Sequence, residues 1–358
     1  MATDLLTGFP GFIGRRLVAK LLSDEPDLRI ATLIEGKMMD AARKATGGLD
    51  ADRVELLEAD ITRPGLGLSD SDGERLRAEV RRVYHLAAIY NLSVPLELAQ
   101  RVNVDGTGNV VDFCIAAEKL ERLAYISTAY VAGLRTGVVY EHELVMGQGF
   151  KNHYESTKFQ AEVWVAERAM ARVPTTVLRP AIVVGDSRTG ETQKFDGPYF
   201  ILRTVADAER SGRAVAQFGR SDAPFNVVPV DYVVEAIAAA AADPAAEGET
   251  LHLVDPEPLT AKELVTILSR AYSGREPKGR IPPQVVQTAL RIGAVRERFG
   301  GTPAESIAYL NHPVAFDTRR ATALLTPHGL RPPNFSDYVE PMVSFFRQHE
   351  GDPALRPA

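Results

Sequence analysis

The sequence is poor in the residues that build disulfides and metal centres. Among its 358 residues, Cys114 is the one cysteine, and there are seven histidines. A single cysteine excludes an internal disulfide and a cysteine-rich metal site, and the scattered histidines form no HExxH pair. Cys114 lies in NVVDFCIAAEKL, whose apolar spacing predicts a buried position on a helix. The sequence therefore predicts neither a metal site nor a cysteine nucleophile.

The chain also has no surplus of positive charge and no long apolar run. Its formal net charge is −6, so nothing predicts binding to nucleic acid or to an anionic membrane surface. No segment approaches the ~18 uninterrupted apolar residues of a membrane span. The first apolar run is brief and is interrupted by Asp4, so it does not resemble a secretory signal. We expect a soluble, cytoplasmic protein that acts on a small molecule.

Short β-rich runs alternate with helical patterns through the first half of the chain. The predicted strands cover residues 4–6, 29–34, 54–58, 82–86, 123–127 and 176–178. The predicted helices cover about 11–22, 38–46, 71–80, 95–120 and 152–172. Such alternation predicts an α/β fold, with a doubly wound parallel sheet covered by helices on both faces.

Three glycines fall in TGFPGFIGRRL, between the first predicted strand and the first helix. Gly8 would allow a tight turn, Gly11 would leave the backbone open to an anion, and Gly14 would allow the helix to pack closely. The amides at the start of the helix would then face the anion. The stretch predicts a dinucleotide phosphate site, although an ordinary strand-to-helix turn is the alternative. Its candidate cofactor contacts are Thr7, Gly8, Pro10, Gly11, Phe12, Ile13 and Gly14.

An acidic residue stands where such a site would hold a ribose. Glu35 ends the second predicted strand, about 20 residues after Gly14, where a carboxylate accepts hydrogen bonds from the adenosine ribose hydroxyls. A carboxylate there repels a 2′-phosphate and favours NAD(H). Lys37 lies close enough to attract that phosphate, so NADP(H) is also possible.

The composition changes after about residue 184, where loops rich in Gly, Asp, Thr and Pro begin. We expect a Rossmann-type dinucleotide-binding domain over 1–185, with later contributions from about 226–254. A smaller, mostly helical substrate-binding part would cover 186–225 and 255–350, and 351–358 would form a tail. No internal repeat is apparent.

A tyrosine and a lysine lie one helical turn apart in NHYESTKFQAEVW. Tyr154 and Lys158 would share one helix face, where the ammonium would favour the phenolate and lower the pKa of the phenol. Upstream, YISTAYVAG runs from a strand into Ser127 and Thr128, at the sheet edge where ligands bind. Three groups would form a catalytic set for carbonyl chemistry: a hydroxyl that positions the substrate oxygen, a phenol that transfers a proton, and a lysine that lowers the pKa of the phenol.

These motifs together resemble the extended short-chain dehydrogenase/reductase family over nearly the whole chain. The resemblance rests on TGFPGFIG, EADIT, HLAAIYN, NVDGTGNVV, ISTAYVAG, YESTK, LRPAIVVGD and VPVDYVVEAI, in that order. It implies that Thr128, rather than Ser127, is the catalytic hydroxyl, and that Asn103 supports the site from its helix. Further cofactor contacts that it implies are Asp60 and Ile61 at the adenine, Leu86, Ala87 and Ala88 along the cofactor, and Pro180, Ala181, Ile182 and Val183 beside the nicotinamide.

Within that family, HLAAIYNLSVP and NHYESTKFQAE look most like the fatty acyl and thioester reductase branch, also called the male-sterility type. That branch often carries arginine where Glu35 stands here. The resemblance implies hydride transfer to or from a carbonyl, an alcohol or an acyl thioester of an apolar substrate. No carrier-protein or adenylation module is evident, so we expect a free-standing enzyme, and the family's frequent four-helix interface implies a homodimer.

Two other functions use the same motifs. A nucleotide-sugar epimerase or dehydratase would keep its NAD tightly bound, and a non-catalytic dinucleotide sensor would need no reactive tyrosine. The second half offers ambiguous residues as well. Phe195, Tyr199, Phe200 and Phe225 suit either an apolar pocket or a core. The loop with Arg220 and Asp222 either meets a substrate phosphate or is solvated.

Overall fold

A computed structural model describes residues 2–90, 94–218, 222–293 and 306–356 of the chain. Arg220 lies outside these residues. The described strands are β1 (Ala2–Thr7), β2 (Leu28–Ile34), β3 (Val54–Glu58), β4 (Val80–His85), β5 (Arg122–Ile126), β6 (Gly137–Val139), β7 (Thr175–Pro180), β8 (Ile182–Val184), β9 (Val227–Pro229), β10 (Thr250–Leu253) and β11 (Val314–Phe316).

The described helices include two that continue through a π-helical segment. Leu96–Ala99 continues through Gln100–Asp105 into Gly106–Ala116, and His153–Trp164 extends through Val165–Ala169. The α-helices are α1 (Phe12–Asp24), α2 (Met39–Ala45), α3 (Asp70–Glu79), α4 (Leu96–Ala99), α5 (Gly106–Ala116), α6 (His153–Trp164), α7 (Tyr199–Arg210), α8 (Val230–Ala242), α9 (Ala261–Ser273), α10 (Pro283–Leu290), α11 (Ser306–Tyr309), α12 (Arg319–Leu325) and α13 (Phe335–His349).

Within the described residues, the main sheet has seven parallel strands in the order β3-β2-β1-β4-β5-β7-β10. Two small parallel pairs, β6 with β11 and β8 with β9, lie beside it. The predicted α/β fold is therefore confirmed. The predicted helix over 95–120 ends early, because Ala117 is extended and the amide of Glu118 donates to the carbonyl of Arg77 at 2.8 Å.

Hydrophobic side chains fill both faces of the sheet. Along β1, Leu5 faces the core beneath α5 and α6, whereas Leu6 faces the core beneath α1 and α8. This alternation is the period of two that a strand imposes. A third core joins α7, α9 and α13 in the second half of the chain. The boundaries proposed between a cofactor domain and a substrate part stay a prediction.

A buried ion pair ties the central strands together. Asp4 on β1 and Arg82 on β4 are register partners, and the Arg82 Nε donates to Asp4 Oδ2 at 3.0 Å. Their side chains are 0% and 6% exposed, and Glu25 also pairs with the Arg82 guanidinium. Removing one member of such a pair leaves a charge without compensation in a medium of low polarity.

We expect Arg82→Met to lower the free energy of unfolding by about 3–5 kcal/mol, because Asp4 would lose its closest cation. Urea denaturation monitored by circular dichroism measures this loss. The matched control is Lys20→Ala, which removes two more exposed pairs, with Asp24 and Glu235, and should cost about 1 kcal/mol or less. A loss below about 1 kcal/mol for Arg82→Met would contradict this account of the pair.

Candidate active site

A cavity of about 1340 Å³ opens along the carboxyl-terminal edge of the main sheet. Its walls come from the segments that follow β1, β2, β3, β4, β5 and β7, and then from helices of the second half. The strand order reverses between β1 and β4, and ligands of open α/β sheets bind at such a reversal.

The structure brings most of the predicted site residues to this cavity. Thr7 and Asn103 do not line it. The predicted residues that do are Gly8, Pro10, Gly11, Phe12, Ile13, Gly14, Glu35, Asp60, Ile61, Leu86, Ala87, Ala88, Ser127, Thr128, Tyr154, Lys158, Pro180, Ala181, Ile182 and Val183.

The turn before α1 has the geometry of an anion cradle. Gly8 has a φ of +90°, which favours glycine. A Cβ atom added at Gly11 would lie 2.7 Å from the carbonyl oxygen of Gly8, and one added at Gly14 would lie 2.5 Å from the same oxygen. Both distances are too short, so side chains are excluded at these two positions. Helix α1 begins at Phe12 with no acidic residue in its first turn and no capping side chain. Its first amides therefore fit the diphosphate of a dinucleotide.

Thr7 and Asn103 lie behind the cavity wall. The Thr7 hydroxyl bonds the Nδ1 of His85 at 2.7 Å and accepts from the amide of Ala87 at 3.1 Å, so it joins the ends of β1 and β4. The Asn103 side chain accepts from the amide of Ile89 at 2.8 Å and donates to Thr157 on α6 at 3.0 Å. Both side chains therefore position segments of the wall.

Helix α6 carries Tyr154 and Lys158 at the cavity. Asn152 caps this helix, because its Oδ1 accepts from the amide of Glu155 at 3.0 Å. Tyr154 lies in the first turn, and it lines the cavity together with Thr128, which follows β5. The predicted trio therefore meets at one place.

The ammonium of Lys158 is held against β5. Its Nζ donates to the Tyr125 hydroxyl at 2.9 Å and to the carbonyl of Ile126 at 2.8 Å, and its side chain is buried. Burial lowers the pKa of Lys158 to about 7, although the Glu162 carboxylate opposes the shift.

The phenol of Tyr154 titrates differently from the sequence-based expectation. Burial raises the pKa of Tyr154 above its usual value of 10, and the nearby Thr128 hydroxyl only partly opposes this. The expected lowering by Lys158 does not contribute, because the Lys158 ammonium donates to the Tyr125 hydroxyl and the Ile126 carbonyl instead. A phenol in this state is a proton donor at neutral pH, which suits protonation of a carbonyl oxygen.

Ser127 takes part in a different contact from Thr128. Its hydroxyl donates to the buried carboxylate of Glu162, one helical turn after Lys158 on α6. Sequence reasoning missed Glu162 and Tyr125. Glu162 could have been found from its spacing of four residues from Lys158, which places both on one face of α6. The contact of Tyr125 with Lys158 could not, because it depends on how α6 packs on β5.

The predicted ribose site is polar and exposed. Glu35 lines the cavity beyond β2, and its carboxylate pairs with Lys37 at 2.8 Å between Oε1 and Nζ. Further along, Asp60 accepts from the hydroxyl of Thr62 at 2.7 Å, and this bond lowers the pKa of the Asp60 carboxyl.

The other end of the cavity is mostly apolar, and the charged side chains that also line it there are Lys194, Asp196, Asp207 and Arg213. Phe195 and Tyr199 belong to the core of the second half, whereas Phe200 and Phe225 line the cavity. The apolar side chains of this compartment are Phe200, Ile201, Val215, Phe218, Phe225, Ile281, Val285, Val286, Ala289, Leu290, Ile307 and Leu310.

The described residues contain neither a metal-binding cluster nor a helix that could span a membrane. In the described ranges, no group of three His, Cys, Asp or Glu side chains could hold a metal ion. Across the same part of the chain, no helix has the length and apolar character needed to cross a membrane. Cys114 is buried, as predicted, and burial raises the pKa of its thiol.

The profile of the Male sterility protein family matches residues 6–237. The chain belongs to this family. The match covers the glycine-rich turn at residues 7–14 (the predicted phosphate turn), the Thr128–Tyr154–Lys158 group and most of the main sheet. It confirms the prediction of an extended short-chain dehydrogenase/reductase closest to the fatty acyl reductase branch.

Two relatives illustrate the moderate sequence identity of this chain to known proteins. Fatty acyl-CoA reductase wat of Drosophila melanogaster is 27% identical over 281 residues, covering 66% of this chain and 53% of the relative. Isonitrile lipopeptide synthase of Mycobacterium tuberculosis is 27% identical over 294 residues, covering 72% of this chain but 12% of the synthase. The chain thus spans about half, or much less, of these relatives' lengths.

Two solved structures resemble nearly the whole of this chain. The terminal R domain from the myxalamid PKS-NRPS biosynthetic pathway is 27% identical, with a TM-score of 0.81 and coverage of 98% of this chain and 92% of that domain. UDP-glucuronic acid 4-epimerase from Bacillus cereus, in complex with NAD, is 19% identical with a TM-score of 0.68, covering 97% of this chain and 99% of the epimerase. The second likeness shows a shared fold.

We expect Gly14→Ala to weaken dinucleotide binding at least about tenfold, because the added methyl would displace the Gly8 carbonyl and the helix amides beside it. Isothermal titration with NADH and with NADPH measures the effect. Gly108→Ala on α5 is the matched control, since its Cβ would meet Trp164 at an ordinary 3.8 Å. Equal dinucleotide affinity in Gly14→Ala and the wild type would show that this turn is not the phosphate site.

Proposed function

We propose that this protein reduces acyl thioesters of apolar acyl chains with a nicotinamide cofactor. One observation carries the proposal: a single cavity joins the phosphate turn, the Thr128–Tyr154–Lys158 group and a long apolar compartment. The relative named as a fatty acyl-CoA reductase and the reductase domain of the myxalamid pathway support a thioester substrate.

The residues divide the work along the cavity. The amides at the start of α1 would hold the diphosphate, and Lys158 would hold the nicotinamide ribose. A bound nicotinamide supplies the hydride for the carbonyl carbon. Thr128 would position the carbonyl oxygen, and Tyr154, whose phenol is protonated at neutral pH, would donate a proton to it.

The proposed cofactor preference is for NAD(H), with NADP(H) accepted less well. Glu35 would accept bonds from the two ribose hydroxyls and repel a 2′-phosphate. Lys37 reduces that repulsion, because its ammonium lies 2.8 Å from the carboxylate oxygen. Because the charge of Lys37 opposes that of Glu35, we expect only a modest preference for NAD(H) over NADP(H).

The proposal also includes the oligomeric state of the protein and its location in the cell. A homodimer through α5 and α6 is consistent with Trp164 on α6, whose surface is 41% exposed. Cytoplasmic location stays a prediction from the sequence.

The direct test is steady-state oxidation of NADH and NADPH with short-, medium- and long-chain acyl-CoA substrates. We expect kcat/KM to rise with acyl length, because each buried methylene contributes about 0.8 kcal/mol, and to be higher with NADH. The same preparation is assayed with UDP-sugars and examined for co-purifying NAD. Tightly bound, non-exchanging NAD together with UDP-sugar turnover would instead favour an epimerase or dehydratase.

We expect Tyr154→Phe to lower kcat about 10²–10⁴-fold, the usual contribution of a general acid, because phenylalanine has no proton to give. The fluorescence of bound NADH measures cofactor affinity in parallel and should change little. Tyr232→Phe, a buried tyrosine on α8 outside the cavity, is the matched control. Full activity in Tyr154→Phe would assign proton transfer to another group.

A further inference from the structure

A buried carboxylate lies directly behind the proposed catalytic group. Arg179 on β7 donates to Glu162 Oε1 from Nε at 2.9 Å and from Nη2 at 2.5 Å. The other oxygen, Oε2, accepts from the hydroxyl of Ser127. The Arg179, Glu162 and Ser127 side chains are all buried. Both carboxylate oxygens of Glu162 are therefore fixed by named donors.

The guanidinium of Arg179 is itself held in place. It donates to the backbone carbonyls of Glu141 at 3.2 Å and Glu143 at 3.0 Å, and it contacts His252 Nε2 at 3.2 Å. The Nδ1 of His252 lies 2.8 Å from the carbonyl of Asp317, so Nδ1 carries the proton and Nε2 accepts from Arg179. Burial lowers the pKa of His252 to about 3, which keeps this ring neutral.

The other end of the chain of contacts reaches Lys158. Ser127 directly follows Ile126 at the end of β5, and the Ile126 carbonyl accepts from Lys158 Nζ at 2.8 Å. The phenol of Tyr125, also on β5, accepts from Lys158 Nζ at 2.9 Å. Glu162 thereby holds the end of the strand that carries both acceptors of the Lys158 ammonium.

We propose that Glu162, clamped by Arg179, is a positioning residue that holds the Lys158 ammonium at the cavity through Ser127 and the end of β5. The inference rests on the proposed function, which gives Lys158 the nicotinamide ribose. It also gives Ser127 a task separate from that of Thr128.

Charges around Lys158 support an electrostatic part of this role. His85 on β4 is kept neutral, because burial lowers its pKa to about 3. The phenols of Tyr125 and Tyr154 are neutral, because burial raises their pKa values. Arg179 on β7 is cationic but faces Glu162. Glu162 therefore supplies the negative charge of this set, and it favours the protonated form of Lys158.

The test measures the titration of Lys158 by ¹³C NMR in cofactor-free protein with ¹³Cε-labelled lysine, assigned with Lys158→Met. We expect Glu162→Gln to move the midpoint down by about one pH unit, because the amide keeps the shape but removes the charge. The reading does not depend on reductase activity, so it separates failure of this inference from failure of the proposed function.

Glu141→Gln is the matched control. Glu141 is also a buried carboxylate, but its side chain accepts from the amides of His252, Arg320 and Ala321. Its substitution keeps the backbone carbonyl that Arg179 uses and should leave the Lys158 midpoint in place. A Glu162→Gln midpoint equal to that of the wild type would overturn the inference.

Ser127→Ala provides a second variant, which removes one hydrogen bond and no charge. We expect kcat to fall about tenfold, the equivalent of one hydrogen bond, and the fall in Ser127→Ala/Glu162→Gln to be smaller than the product of the single effects. If Glu162→Gln does not unfold cooperatively, the Lys158 titration in Ser127→Ala decides the question, because loss of the hydrogen bond to Glu162 would loosen the strand end that holds the ammonium. A Lys158 midpoint equal to that of the wild type in Ser127→Ala overturns the inference.

Discussion

The desolvated ammonium of Lys158 is the constraint on which the rest of the site depends. Taking a lysine out of water costs free energy, and its pKa falls to about 7 as a result. The protein offsets the cost with the Tyr125 hydroxyl, the Ile126 carbonyl and the negative charge of Glu162. These partners sit on β5 and α6, so the packing of this helix on this strand must be fixed closely for the ammonium to stay at the cavity.

The topology of the sheet explains why so many distant segments meet there. Parallel strands send all their carboxyl ends to one edge, and the reversal of order between β1 and β4 opens a crevice at that edge. The phosphate turn follows β1, Thr128 follows β5, and Pro180 ends β7. The apolar compartment is added by α7, α10 and α11, so one cavity has a polar end for a nucleotide and an apolar end for a second molecule.

The local patterns of the sequence were sufficient for the fold and for most of the cavity wall. Short β-rich runs located the strands, and the glycine spacing located a turn whose carbonyl excludes side chains at Gly11 and Gly14. Interactions between distant segments could not be read in this way. The placement of Thr7 behind the wall depends on a contact with His85 across two strands. The raised pKa of Tyr154 depends on burial, which spacing along one helix does not report. Arg179 finds Glu162 only after β7 and α6 have packed.

The central claim is that the cavity brings a nicotinamide C4 and an acyl carbonyl carbon into contact. The most direct measurement uses NADH deuterated at C4 on the transferring face, a long-chain acyl-CoA substrate and mass spectrometry of the product. The account predicts deuterium bound to the former carbonyl carbon of the aldehyde or alcohol. A reduced product that carries no deuterium at that carbon, formed from either face of the labelled cofactor, would contradict it.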